Sequence, residues 1–286
     1  LSEKIMKLSS KLTKKFLSVF TPILTASLAT PSYAANFSAE SFLSSFGFSQ
    51  EATEITTFIN TNAIAESGLD SFIEANAAAD SIVLNNSGFD LECSNTEFIF
   101  RFVSPAACSN TFSQVATEGN NVDARADSEA EFIATFLIYP ETIFSFDFVA
   151  SLNLEAEATE LTEKAFNTSG EIALDIYDLD TNTLIDSFTL FANINPQSNN
   201  DVLLTDGTIE PLFTDFDSFF GGDNEFADAF VDGTYSRFFG QTTNIAIVGS
   251  NRTSITPVPE ASQTFAVLFF LGLVAAKTKF TNNHNS

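Results

Sequence analysis

From Glu97 onward the sequence predicts a mainly β protein, an antiparallel β-sandwich or jelly roll, on three observations. β-Branched and aromatic residues recur with period two, turn-forming clusters separate short runs, and no helical stretch alternates with the runs as a parallel sheet requires. The clearest strands are Phe98–Val103, Glu129–Tyr139, Thr142–Leu154, Glu171–Tyr177, Leu184–Phe191 and Asn244–Val248. In the third, Phe144, Phe146, Phe148, Ala150, Leu152 and Leu154 share one parity and Ser145, Asp147, Ser151 and Asn153 the other. One face is therefore core and the other solvent. Tyr139-Pro-Glu-Thr142 is expected to turn one hairpin and Asp178–Thr183 another.

Residues 36–82 break this pattern. Phe42, Leu43 and Phe46, then Ile55, Phe58 and Ile59, then Leu69, Phe72 and Ile73 recur mainly at three and four. That spacing, with the Ala-rich run 75–79, predicts two or three short amphipathic helices, with a strand near Ser81–Leu84 as the alternative. Residues 211–240, with eight phenylalanines among acids and Gly221-Gly222, read either as a long loop with helical turns or as a helical insertion. The expected organisation is a signal peptide over 1–34, a helical segment over 35–90, an acidic β-sandwich over 91–256 and a sorting tail over 257–280.

Charge and composition exclude several functions. Residues 35–256 hold five cations against 35 acids, a net charge of −30. Nucleic-acid binding needs clustered Lys and Arg to displace counterions, and this balance opposes it. Such a surface stays soluble and attracts divalent cations; a generic acidic surface is the main reading, a specific Ca²⁺ role the alternative, and no cofactor is called for. The only histidine, His284, lies outside the body, so neither a Ser-His-Asp triad nor a histidine metal site can be assembled there. With 35 acids and no motif, no carboxylate pair is singled out for a glycoside hydrolase, and the expectation is a protein that is not an enzyme. Asp175, Asp178, Asp180 and Asn182 start like a calcium loop, but Thr183 and Thr189 replace its glycine and its bidentate glutamate, so a hairpin turn is the better reading. Cys93 and Cys108, the only cysteines, are expected to form a disulfide in an exporting compartment.

The ends carry the address. Lys4, Lys7, Lys11, Lys14 and Lys15 precede the apolar run Phe16–Leu24 and small residues up to Ser32-Tyr33-Ala34. This is the pattern of a secretory signal peptide cut after Ala34, or else after Ala35. Near the other end Val258-Pro259-Glu260 precedes an apolar segment, residues 265–276, closed by Lys277 and Lys279. Twelve such residues rise about 18 Å as a helix, and the lysines favour a cytoplasmic edge.

Proline-glutamate motif, apolar helix and basic end together resemble the PEP-CTERM sorting domain of exported bacterial proteins, and the Phe-rich acidic body is similar to cyanobacterial members. Ala261 stands where the motif's second proline is usual, and the basic cluster is thin. The resemblance implies export across the inner membrane, transient or lasting anchoring through residues 265–276, recognition of Val258, Pro259 and Glu260 by an exosortase-type enzyme, and delivery to the outer surface or extracellular matrix. A structural or adhesive role follows. The alternatives are a carbohydrate-binding module of the exopolysaccharide matrix and, behind it, a carboxylate-dependent hydrolase.

Overall fold

A computed structural model of the chain describes residues 34–67, 72–84, 90–94, 99–103, 105–118, 122–158, 166–196, 201–221 and 224–258. Fourteen strands run through them: β1 Ala34–Phe46, β2 Glu54–Ser67, β3 Phe72–Leu84, β4 Asp90–Ser94, β5 Ile99–Val103, β6 Ala106–Glu118, β7 Val122–Ile138, β8 Thr142–Ala158, β9 Phe166–Asp178, β10 Thr183–Ile194, β11 Val202–Gly207, β12 Phe213–Phe219, β13 Asn224–Phe239 and β14 Thr243–Pro257. Two six-stranded sheets pack as a sandwich, one ordered β12-β13-β8-β1-β6-β3 (sheet A), the other β11-β10-β9-β14-β7-β2 (sheet B). Every pairing is antiparallel. β4 and β5 form a separate two-stranded ribbon.

The mainly β expectation holds, and all six predicted strands are present. The residues of one parity in β8, from Phe144 to Leu154, are buried as predicted. They meet Phe132 and Phe136 of β7, Ile172 to Ile176 of β9 and Phe188 of β10 in one core. Its aromatic half is a chain of tilted rings: Phe48 lies 5.2 Å from Phe136, Phe136 4.9 Å from Phe144, and Phe146 5.2 Å from Tyr235. Such tilted ring packing adds to burial in a core that has no tryptophan.

The other half of the interior, between β1, β6, β7 and β14, is built from small and polar side chains. Ser113 Oγ meets Thr253 Oγ1 at 3.0 Å and donates to Ser128 Oγ at 3.2 Å, while Ser128 Oγ donates to the Phe112 carbonyl at 2.6 Å. Asn251 Nδ2 donates to the Ser109 carbonyl at 2.8 Å. Side chains reaching the opposite backbone require sheets closer than the usual ~10 Å, and serine, threonine and alanine permit that approach.

The helical expectation for residues 36–82 is overturned: β1, β2 and β3 occupy them, and no helix is found among the described residues. β1 is a central strand buried on both faces, Leu43 inward and Phe42 outward, so its apolar residues do not alternate. β2 is an edge strand exposed on both faces, so it has no apolar stripe to show. The alanines of β3 alternate half-buried with exposed, and pairing with β6 overrides their helix propensity. These strands belong to the same two sheets as the rest, so the described residues of 35–90 form no separate helical segment.

Two further corrections concern turns and strands. Tyr139–Thr142 does reverse the chain, with Glu141 at φ 58°, but β7 and β8 enter different sheets, so it is an arch between layers rather than a hairpin. The alternation of β7 matches that of β8, and both buried faces close on the same core. Residues 211–240 are neither loop nor helical insertion but β12 and β13. The middle inward positions of β13 are the small Ala227, Ala229, Val231 and Gly233, while Phe226 and Phe230 lie on the outer face, and so aromatic spacing mimicked a helix. Residues 1–33 of the expected signal peptide (1–34) and the apolar segment 265–276 lie outside the described residues. Among those described, no helix is long and apolar enough to cross a membrane.

Candidate functional site

Antiparallel register assembles the candidate surface on the outer face of sheet A. Phe213 of β12 stands opposite Asp232 of β13, Asp215 opposite Phe230, Asp217 opposite Asp228, and Phe219 opposite Phe226. β13 continues the rows into β8, with Phe226 beside Glu155, Asp228 beside Asn153 and Asn224 beside Glu157. Because strand side chains alternate, these residues share one face in a pattern of rings and carboxylates. Phe219 stacks on Phe226 with ring centroids 6.5 Å apart at 20°, and Phe213 tilts against Phe230 at 6.4 Å. Phe219 and Phe213 nevertheless remain 55% and 53% exposed.

A concavity at the end of this face is lined by Glu155, Glu157, Phe219, Asn224 and Phe226, over the backbone of Ala156 and Glu225. It offers apolar ring faces beside acceptor oxygens. That chemistry suits a molecule with C–H faces and hydroxyl donors, such as a sugar, or a cationic group set over a ring.

Beneath this face Glu225 points into the sandwich. Its Oε1 accepts the Gly221 N–H at 2.9 Å, and the backbone amides of Gly221 and Asn195 are its hydrogen-bonding neighbours. Burial first, then the negative charge of Asp201, raises the affinity of its carboxyl group for a proton. The folded pKa lies above the unfolded one, so the associated stability is full below the ordinary Glu range and is lost as pH rises through the folded value. Glu225→Gln is therefore expected to raise the melting temperature relative to the wild type, by a margin that widens between pH 4 and 7. Thermal melts across that range check it, and a margin independent of pH would exclude Glu225 as the source.

The acidic hairpin is a turn, as its sequence predicts. Asp178 Oδ1 accepts the N–H groups of Asp180 and Thr181 at 2.9 and 3.0 Å, and Asn182 takes φ 53°. Asp180 clamps the turn to β14 by accepting the Asn244 N–H at 3.0 Å and its Nδ2 at 2.8 Å, which holds the Asp180 carboxyl below its usual range. Asp175 is not part of the turn: it accepts the Tyr177 hydroxyl at 3.3 Å, and burial raises its proton affinity. The carboxylates that opened like a calcium loop are thus used as backbone caps. Among the described residues no three of His, Cys, Asp and Glu are grouped to hold a metal ion.

Of the remaining predicted site residues, Ala34 opens β1, Ala35 is buried, and Val258 follows β14. Pro259 and Glu260 lie outside the described residues. Cys108 is buried on the outer face of sheet A with Phe42, Ala106 and Val149, and Cys93 stands in β4 opposite Phe100. Sequence reasoning missed the ring-and-carboxylate face, although the signal was present: Phe213-Thr-Asp-Phe-Asp-Ser-Phe219 has Phe213, Asp215, Asp217 and Phe219 at period two.

The site and fold define an acidic two-sheet sandwich with an aromatic, carboxylate-lined outer face. No protein family and no curated protein matches the chain. A solved structure titled as the crystal structure of a lysenin pore aligns at 8% identity and a TM-score of 0.10, over 70% of this chain and 99% of that one; so low a likeness carries no argument.

Proposed function

We propose that the chain is a non-enzymatic protein of the cell surface or extracellular matrix, exported through its N-terminal signal and sorted by its PEP-CTERM-like tail. The observation that carries this reading is that the paired strands lie between the two expected cuts. Among the described residues, cuts after Ala34 and at Val258–Glu260 would remove only the first residue of β1 and leave the other thirteen strands whole. The acidic, lysine-poor exterior fits a role in a hydrated matrix. Intact mass of the native protein from cytoplasm, membrane and matrix fractions tests it. A matrix form beginning at Ala35 or Asn36 and ending near residue 258 is expected, and a cytoplasmic chain of full mass would refute it.

A carbohydrate-binding reading has its own support in the exposed Phe219–Phe226 stack beside Glu155 and Glu157. The exported form is expected to bind an acidic-face-compatible neutral glycan on an array, with Phe219→Ala reducing binding at least tenfold. Equal binding by both proteins would remove this face from the site.

The disulfide belongs to the same proposal. β4 passes beside β6, the two strands that carry Cys93 and Cys108. The bond would tie the β4–β5 ribbon to sheet A. Alkylation of the denatured, unreduced protein should leave both cysteines unlabelled, and two labels would reject the bond.

A further inference from the structure

We propose that the chain pairs with a second copy of itself through the free edge of β2, forming one continuous antiparallel sheet across a two-fold axis at Thr61. Among the described residues β2 is the last strand of sheet B, hydrogen-bonded on one side, to β7. The ladder runs from Glu54 opposite Thr135 to Ser67 opposite Val122 without a register shift, so no bulge turns the edge away. Its residues 54–66 are exposed almost throughout, including Phe58 at 51%, Ile59 at 56% and Ile64 at 46%. A long, straight, exposed edge is a template for another strand, and proteins normally blunt one with Lys, Pro, bulges or charge.

The other free edges are blunted. β12 carries Asp215 and Asp217, β3 carries Glu74 and Asp80, and β11 is six residues long and carries Asp206. β2 has no Pro, Gly or Lys, and its carboxylates, Glu54 and Glu66, leave residues 55–65 uncharged. In a body of net charge −30, β2 itself presents no acid between residues 55 and 65, while Glu74 and Asp80 of the neighbouring β3 flank the edge. Within the plane of sheet B the acids behind it, Asp127, Glu129 and Glu131 of β7, would lie three strand spacings from those of the mate, about 14 Å. That exceeds the screening length of about 8 Å at physiological salt.

The occupant is a second copy because the strand is complementary to itself. A perpendicular two-fold keeps faces matched only when paired residue numbers add to an even sum. With Thr61 on the axis, Phe58 meets Ile64, Ile59 meets Ala63, Asn60 meets Asn62, and Glu66 meets Thr56. Apolar and β-branched residues then stand opposite each other on both faces, a favourable cross-strand arrangement. Moving the axis to Asn60 sets Glu54 against Glu66 twice, and moving it to Asn62 sets Phe58 against Glu66, so Thr61 is the register without such a conflict. The interface is isologous and closes as a dimer.

The test uses the full chain. In Thr61→Cys the two introduced thiols face each other across the axis, whereas in Thr57→Cys they are separated by about 27 Å along the strands. Mild oxidation is expected to convert most of the Thr61→Cys protein to a species of twice the chain mass, with Thr57→Cys at the wild-type background. Asn60→Asp with Asn62→Asp sets four carboxylates in opposition and should shift the sedimenting species from dimer to monomer. These two positions are exposed, so the fold is expected to survive, as circular dichroism would verify. A wild-type monomer at tens of micromolar, equal cross-linking at positions 57 and 61, or cross-linking to a chain of another mass would each overturn the proposal.

Discussion

Phe132→Ala is expected to cost about 3–5 kcal/mol of folding stability, because it empties a fully buried ring site where two sheets meet. The ring lies over Gly249, its register partner in β14. A Cβ on Gly249 would fall 2.2 Å from Phe132 Cε1 and 2.9 Å from Leu43 Cδ2, so Gly249→Ala overpacks the same site at about 1–3 kcal/mol. Combining Phe132→Leu with Gly249→Ala should cost less than the two single changes together, since a smaller side chain makes room for the methyl group. Urea unfolding of the four proteins measures this coupling, expected at about 1 kcal/mol. Strict additivity would mean that the ring does not rest on the glycine. The arrangement occurs twice: Gly233 faces Phe148 across β13 and β8, and a Cβ there would meet the ring at 2.4 Å. An aromatic side chain covering a cross-strand glycine protects that backbone and fixes register at once.

Asp186→Ala is expected to lose about 2–3 kcal/mol, mostly by stranding a buried phenol. A register irregularity between Leu184 and Asp186 sets this carboxylate at the mouth of the sandwich. Its Oδ2 accepts the Tyr235 hydroxyl at 3.0 Å and Arg237 Nη1 at 2.8 Å, and its Oδ1 accepts the Thr208 hydroxyl at 3.0 Å. Tyr235 and Arg237 come from β13 of sheet A and Asp186 from β10 of sheet B, so the carboxylate straps one sheet to the other. Arg237 is half-exposed and adds little; Tyr235 is buried and carries the effect. Burial, then the Asp186 charge, pushes the Tyr235 hydroxyl far above its ordinary pKa. Stability from this group is full below the ordinary Tyr value near pH 10 and falls as pH rises above it. Tyr235→Phe should cost about 1 kcal/mol at neutral pH and remove that alkaline loss. Denaturation at pH 7 and pH 11 decides, and an unchanged alkaline loss in the variant would assign it elsewhere.

Legibility followed environment. β8 was readable because it separates a core face from an outer face rich in polar side chains, so burial imposes period two on its residues. The turn at 178–183 was readable because Asp and Asn serve the local backbone wherever the chain goes next. β1 was misread because Phe42 and Leu43 are both buried, one on each face of a central strand. β2 was misread because both of its faces stay largely exposed, so burial imposes no pattern on its residues. β12 and β13 were misread for a third reason: Phe213, Phe219, Phe226 and Phe230 lie on the outer face while inward positions 227, 229, 231 and 233 hold alanine, valine and glycine, which inverts there the rule that large apolar residues mark the core.

The sequence by itself determined the local and summed properties: strand propensity beyond Glu97, the acidic turn, the charge of −30 and the phenylalanine-rich core without tryptophan. Each depends on a residue and its near neighbours, or on a count. Tertiary structure alone decided which strands share a sheet, that residues 139–142 arch between layers, that rows of phenylalanine and carboxylate meet on β12, β13 and β8, and that β2 is left with a free edge. Those outcomes rest on pairings between residues tens to more than a hundred positions apart. Period-two alternation says which way a side chain points, but it does not say which strand lies beside it.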